Sequence, residues 1–546
     1  MRIRTLQFCS AFLFAITFSA CGQNNSQPAV TPKKTAEKPD LKAWNNSIPG
    51  SFAEKSQYHF DSTALDAFIE NYPKYATYAG DMKKFYRGRG FTYAWFDESG
   101  MIEQAGNLRS RIDHMDDEGL TGSVPYHEQL DSMIGSLDES AGGKSYLQPE
   151  LMLTAAYFAF AKTVWGGMDA SVSKSMDWFL PRKKISYTKA LDSLLKAPVG
   201  ELKNSEPVYR QYEMLRTYLK KYRRLDSLKN WEPIKADKKS YKPGDNSPVI
   251  LAIRKRLYLL GDFAGDTTST VYDQDLTEAV KNCQHRLGLA EDGVVGNEMI
   301  AALNVTPQKR ITQIMVNMER ARWVPIPNPD QDYLVVNIPD YRLFVYQKDS
   351  LLWSCNVVVG KAMNKTVIFS GDVKYVVFSP YWNVPPSIVR KEVVPGMARR
   401  KNYIASHNME ITGRLGGLPV VRQKPGPNNS LGKVKFLFPN SYNIYLHDSP
   451  AKSLFNETTR AFSHGCIRVQ EPEKLANFLL RNDSSWTSAK INAAMNAGKE
   501  QYVTLKKTVP VYIGYFTAFV DSKGKINFRN DIYSKDTSLA KALMGE

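Results

Sequence analysis

Cysteine and histidine are scarce in this chain. Five cysteines are scattered through 546 residues with no C-x-x-C pair, and seven histidines include no H-E-x-x-H. The fold is therefore not built on a disulfide framework, and the paired ligand spacings of a structural zinc site are missing. Long apolar runs are lacking too. Met152 to Trp165 is strongly apolar but short, and it carries Lys162, so a buried core helix is expected there rather than a membrane span. Acidic residues are in deficit: 55 Asp and Glu stand against 72 Lys and Arg, for a net charge of +17. Such a chain suits an anionic partner, which is nucleic acid inside a cell and acidic lipid or wall polymer outside it.

The N-terminus chooses between those partners. Arg2 and Arg4 precede an apolar core from Phe8 to Phe18, the pattern of an export signal over residues 1–20. Nucleic acid is thereby set aside. Phe18-Ser19-Ala20-Cys21 resembles a lipoprotein processing site. Cys21 is then the expected lipidated first residue of the mature protein, and the lipid its membrane anchor. The residues that follow, to about 50, are rich in Asn, Gln, Ser, Pro and Lys. They cannot bury enough apolar surface to fold, and a tether is expected.

The remaining length allows three or four domains. Residues 51–240 are expected to be mostly helical, with Leu65, Phe68 and Ile69, and later Leu151, Ala155 and Phe158, at helical spacing. His59, His114 and His127 lie there without a motif around them. Residues 241–306 form a different unit, entered through a linker, KPGDNSP. It has a helix through Ile253 and Leu257, a turn at Gly261, a helix through Cys283, and a third helix after the turn at Asp292-Gly293. From Tyr333 the period changes to alternation: YLVVNIPD, YRLFVYQKD, SLLWSCNVVVG and KYVVFSPYW are successive strands. Burial is expected for Cys355 in the third strand, as for Cys283 in its helix. Pro385 and Pro386 interrupt this pattern, and residues 387–421 are basic and poor in strand signal. A helix from Pro472 to about Arg481, a helical stretch from Trp486 to Ala497, and strands joined by an S-K-G turn within 501–533 follow.

Chemistry concentrates in Arg460 to Val469, RAFSHGCIRV, which sets Ser463, His464, Gly465 and Cys466 in a row before Arg468. His447 lies upstream in NIYLHDSP. A thiol is a strong nucleophile only as thiolate, and a nearby imidazole is the usual base that makes it one. Gly465 permits a sharp turn beside the thiol, so that main-chain N–H groups can converge on a reacting carbonyl oxygen. Residue types alone leave three readings open: a nucleophile with its base, a buried structural thiol, or a metal site made with the two histidines.

H-D-S-P followed by S-H-G-C-I-R-V resembles the signature of the L,D-transpeptidases, the cysteine enzymes that cross-link bacterial peptidoglycan. YWNVPPSIV at Tyr381 to Val389, RQKPGPNNSLGKVKFLFPN at Arg422 to Asn440, and NIYLHDSP at Asn443 to Pro450 are similar to the large multidomain members of Gram-negative bacteria. The resemblance implies an α+β multidomain chain. Its parts are a helical scaffold over 51–240, a small three-helix peptidoglycan-binding-like module over 241–306, and a mainly β catalytic domain over 307–485. An insert at about 387–421 caps the site, and a C-terminal extension over 486–546 packs on the catalytic domain or the scaffold.

The resemblance also assigns roles. Cys466 is the implied nucleophile and His447 its base, with the backbone carbonyl of Asp448 orienting the ring. The N–H groups of Gly465 and Cys466, with His464, form the implied oxyanion hole, and Ser463 and His464 shape the site. Trp382 and Tyr445 line the implied substrate groove, and Arg468 holds the turn or meets a substrate carboxylate. No metal or organic cofactor is implied. The expected partners are peptidoglycan stem peptides, as donor and acceptor, and the expected place is the periplasm. The expected reaction forms 3→3 cross-links through a cysteine thioester. The same residues with water as acceptor give an L,D-carboxypeptidase or cysteine peptidase, and a decayed site leaves a wall-binding lipoprotein.

Overall fold

A computed structural model describes residues 56–137, 145–196 and 207–545. The export signal, Cys21 and the tether lie outside these residues. The described part of 63–227 is helical apart from a short hairpin, Phe96–Asp97 with Gly100–Met101. At its centre is helix α1 (Leu147–Ala161), in which every residue from Pro149 to Ala161 is buried. A helix with no polar face must be enclosed on all sides, and α1 packs among Leu65, Phe68, Phe85 and Trp95. No described helix is long and apolar enough to cross a membrane. Helix α2 (Arg210–Ser227) lays Tyr212, Leu215, Leu219 and Tyr222 on the same core at helical spacing.

The next unit consists of α3 (Pro248–Leu260), α4 (Gln274–Leu287) and α5 (Asn297–Leu303). Its ends follow local rules. Ser247 caps α3 with Pro248 behind it, Asp273 caps α4, and Gly261 and Gly288 close the two helices in the left-handed conformation. The lead-in expected to be a linker is instead built into the unit. Gly244 N–H donates to Tyr272 O (2.8 Å), Tyr272 N–H donates to Asp245 O (2.8 Å), and Ser240–Tyr241 pairs with Val295–Gly296. Ile234 is also buried in this core, with its N–H on Asn304 Oδ1 (2.8 Å). The hydrophilic composition of KPGDNSP reflects a tight hydrogen-bonded turn, not a free connection.

Helix α6 (Pro307–Trp323) is shared. Ile311, Ile314, Met315 and Met318 belong to the helical core, while Val316 and Trp323 belong to the β core. Its buried Glu319 accepts from Met168 N (2.6 Å) and Trp323 Nε1 (2.7 Å) and pairs with Arg322 (2.7 Å). Grouping α6 with the β region alone therefore leaves out the helical core that it also builds.

The β region is one sheet of nine strands. In chain order they are β1 (Tyr333–Asn337), β2 (Arg342–Gln347), β3 (Ser350–Gly360), β4 (Ser370–Phe378), β8 (Val434–Leu437), β9 (Leu446–His447), β10 (Ala461–Ser463), β11 (Ile467–Val469) and β12 (Gln501–Gly514). Between β4 and β8 come β5 (Trp382–Asn383), β6 (Met409–Leu415) and β7 (Leu418–Gln423) of a separate small sheet. The long β3 pairs with β2 along its first half and with β11 and β10 along its second, which closes the large sheet on itself. Alternation puts Leu334, Val336, Leu343, Val345, Val357 and Val359 inside. α7 (Pro472–Leu480) covers this core with Leu475, Phe478 and Leu479.

The C-terminal residues serve both regions. β12 lies between β4 and β1, whereas the hairpin of β13 (Ala518–Val520) and β14 (Ile526–Phe528) joins the helical core. A last helix, α9 (Asp536–Met544), follows a further one, α8 (Ser488–Asn496), in chain order. α9 had no clear signal in the sequence, and it is tied to α6 by Arg320 and Asp536 (2.6 Å).

The segment expected to be a strand-poor insert contains the hairpin β6–β7, and β7 pairs with β5. β6 is almost wholly exposed, so it carries no apolar alternation from which a strand is recognised. Val384, Ile388, Val389, Val393 and Val421 give the insert a small core of its own.

Candidate active site

Three strands bring the predicted residues together. β9 pairs in parallel with β11, setting His447 opposite Arg468, and pairs on its other side with β8, setting His447 opposite Lys435. Cys466 immediately precedes β11. These residues line a cleft of about 720 Å³ with Trp382, Tyr445, Ser463 and His464.

The turn that carries the thiol depends on glycine. Gly465 has φ +118, a conformation that side chains resist. Ser463 Oγ donates to Cys466 O (2.6 Å) and accepts from Gly465 N–H (3.1 Å), while Thr366 Oγ1 donates to Gly465 O (2.8 Å). This corrects the expected oxyanion donors. Gly465 N–H is already spent on Ser463, whereas Cys466 N–H has no acceptor among the described residues. Ser463 acts as the brace of the turn.

His447 is buried, and its Nδ1 lies 2.5 Å from the backbone oxygen of Asp448. A carbonyl only accepts, so Nδ1 carries the proton and Nε2 keeps a free lone pair. Burial, and then the positive charge of Arg468, push the imidazole down to about 4, against the Asp448 carbonyl. The ring is therefore neutral near pH 7. The Asp448 carboxylate does other work. It accepts from Lys433 N (2.8 Å), Ser449 N (2.7 Å) and Lys452 Nζ (2.6 Å), which pins the loop carrying the carbonyl.

The Cys466 thiol donates to Asn443 O at 3.5 Å. Burial raises its pKa, opposed by contacts with Tyr445 and by the charge of Arg468. The resting pair is thus a thiol and a neutral imidazole, not a preformed ion pair. The Tyr445 ring lies 5.7 Å from that of His447. Among the described residues no carboxylate pairs with Arg468, and its Nε is buried without an acceptor. His464 faces outward, its Nε2 3.0 Å from Glu392 of the insert.

Sequence reasoning missed Lys435. It is buried beside His447, donates to Tyr381 O (3.2 Å) and lies 3.5 Å from Glu500. A lysine inside the apolar run Val434-Lys435-Phe436-Leu437 was the available signal. Glu500 also accepts from Tyr381 N–H (2.8 Å), so this pair fixes the chain that leads into Trp382. Cys283 and Cys355 are buried and unbridged. His127, distant in sequence from these residues, sits 2.7 Å from Asp113 and 3.4 Å from Asp131.

Comparison with known proteins assigns three stretches of the chain to domain families. Residues 331–513 match the model of the L,D-transpeptidase catalytic domain, residues 80–219 that of a "Scaffold domain", and residues 246–303 that of a "Putative peptidoglycan binding domain". Residues 331–513 are thus an L,D-transpeptidase catalytic domain within a multidomain chain. A "Putative L,D-transpeptidase" of Haemophilus influenzae is 32% identical over 249 residues, 42% of this chain and 50% of that protein. The chain thus matches about half the length of this curated relative. Among solved structures, an L,D-transpeptidase of Xylanimonas cellulosilytica is 17% identical, covering 51% of this chain and 100% of its own, with a TM-score of 0.18. One from Stackebrandtia nassauensis is 12% identical, covering 52% and 98%, with a TM-score of 0.22.

Proposed function

We propose that this chain is a peptidoglycan L,D-transpeptidase that forms 3→3 cross-links through a thioester on Cys466. The observation that carries the proposal is the tautomer of His447. Its Nδ1 proton is held by the Asp448 carbonyl, which makes Nε2 the basic nitrogen of a ring that lines the cleft containing the thiol. The reaction requires the sulfur to leave Asn443 O for the imidazole, and such contacts commonly tighten only once substrate is bound.

In the proposed reaction Nε2 takes the thiol proton as sulfur attacks the carbonyl on the L-centre of a diamino acid in a tetrapeptide stem. Cys466 N–H stabilises the oxyanion. The bond to the terminal D-alanine breaks, and the imidazolium protonates the departing amine. The amine of a second stem then attacks the thioester and loses its proton to His447, and the sulfur leaves and is reprotonated. Arg468, a guanidinium without a carboxylate partner, meets a carboxylate of the stem. The basic charge, the export signal and the peptidoglycan-binding-like module support a periplasmic protein anchored through lipid on Cys21.

The test is incubation with disaccharide-tetrapeptide and mass analysis of the products. A dimer lacking one terminal D-alanine is expected. Tripeptide monomer alone would reassign the chain as a carboxypeptidase, and neither product, from folded protein, would refute the enzymatic reading.

A further inference from the structure

A second cleft, of about 570 Å³, shares no lining residue with the one that holds the thiol. That volume is in the range of ligand pockets. It arises from the alternation of β1 and β2. One set of side chains fills the barrel, and the opposite set, including Val335, Arg342, Phe344 and Tyr346, faces outward. α2 and the β13–β14 hairpin cover this outer face only in part.

The floor is apolar, with Val335, Phe344 and Leu351. A guanidinium stands at each end. Arg342 donates to Ser354 and Asn356, and Arg210 to the Tyr346 hydroxyl (3.3 Å). Neither pairs with a carboxylate among the described residues, whereas Arg529 in the same wall is matched by Asp340 (2.7 Å). Arg342 and Tyr346 are four residues apart on one strand, so their Cα atoms are roughly 13 Å apart. Two guanidinium groups without a direct ion pair, with Asp349 acting on Arg210 only at longer range and Asp521 elsewhere in the wall, stand over an apolar floor and favour an elongated ligand with apolar faces and carboxylates.

We propose that this cleft is a non-catalytic site for a peptidoglycan fragment, an amino sugar carrying a peptide with free carboxylates. Its continuity with the three-helix module favours this ligand over other polyanions. His285 of α4 borders the cleft, and Arg529 in its wall donates to Arg286 O (2.8 Å). The proposal rests on the reading of the chain as a peptidoglycan-acting protein. It makes the cleft the place where a strand is held while the thiol acts on a stem.

The experiment titrates disaccharide-tetrapeptide into exported protein carrying Cys466→Ala, followed by calorimetry. Two binding events are expected. Adding Arg210→Gln with Arg342→Gln should remove one of them. So should Leu351→Trp, which fills the cleft without changing its charge. Amidating the peptide carboxylates should weaken that event about tenfold or more. The same changes on a chain that retains Cys466 should leave turnover of the soluble fragment within about twofold, and circular dichroism melts confirm that each variant folds. A single event in Cys466→Ala, or two events that survive both the charge and the filling variants, overturns the proposal. If the charge-dependent event persists while wild-type protein makes no product, the enzymatic reading fails and this one stands.

Discussion

The helical region and the barrel each bury a charged group, and they treat it differently. Glu150, in the first turn of α1, accepts from Ala94 N (2.6 Å), Trp95 N (2.9 Å) and the Tyr86 hydroxyl (2.7 Å). Arg468, in the thiol cleft, has a buried Nε with no acceptor among the described residues. A buried polar group is ordinarily satisfied by its own protein. Glu150 obeys that rule and is structural. Arg468 departs from it where the wall opens into a cleft, as the proposed contact with a substrate carboxylate requires. The contrast separates two kinds of buried charge that look alike in sequence.

The largest effect should come from the cleft. Cys466→Ala and His447→Ala are each expected to lower turnover at least about 10³-fold, and the double change to cost little more, since the pair acts as a unit. The melting temperature of Cys466→Ala should stay close to wild type, while His447→Ala, which empties a buried site and leaves Asp448 O without its donor, should also melt lower. Burial and Arg468 hold His447 down to about 4, so kcat/KM should fall on the acid side only as pH drops toward that value. An acid limb at the ordinary histidine range would mean that His447 is not the base. Independent losses that multiply in the double variant would show that the two residues do not work together.

Glu150→Ala should invert this pattern, with turnover per folded molecule kept and stability lost. Three donors lose their acceptor, which costs at least about 3 kcal/mol. Burial raises the Glu150 carboxyl from 4.5 to about 7. A group whose folded pKa is raised contributes fully below its unfolded value, and that contribution is lost as pH rises through the folded one. The stability gap between wild type and Glu150→Gln should therefore narrow between pH 5 and pH 8 in urea melts. A gap that widens would assign the shift to the wrong group.

The smallest expected effect sharpens the comparison most. Arg468→Gln should reduce kcat/KM by about tenfold to a hundredfold, the worth of one charge-assisted contact. On a stem with amidated carboxylates that loss should largely vanish, and stability should be unchanged or raised, because an unsatisfied buried charge has been removed. A loss of stability instead would make Arg468 structural, like Glu150, and remove the distinction between the two regions.

Much of the local architecture was written in short stretches. The Ser247-Pro248 and Asp273 starts and the Gly261 and Gly288 stops of α3 and α4 act within a few residues, as does the alternation of β1 to β3. The candidate nucleophile and base could be named from residue types and from one family's motif. Other features left little trace. β6 lies exposed and so lacks the apolar period that marks a strand, and the hydrogen-bonded lead-in to α3 has the composition of a linker.

What the sequence by itself determined is the set of chemical possibilities: a thiol beside a glycine, two histidines, caps, turns and periods. These are properties of neighbours along the chain. Tertiary structure alone decided the rest. Ser463 takes the Gly465 N–H from the expected oxyanion hole, Lys435 stands across from His447, α6 belongs to two cores, and the outer face of β1 and β2 is left half covered. Each of these follows from which strands and helices meet, and in what register. That choice is made by long-range burial, which no local pattern encodes.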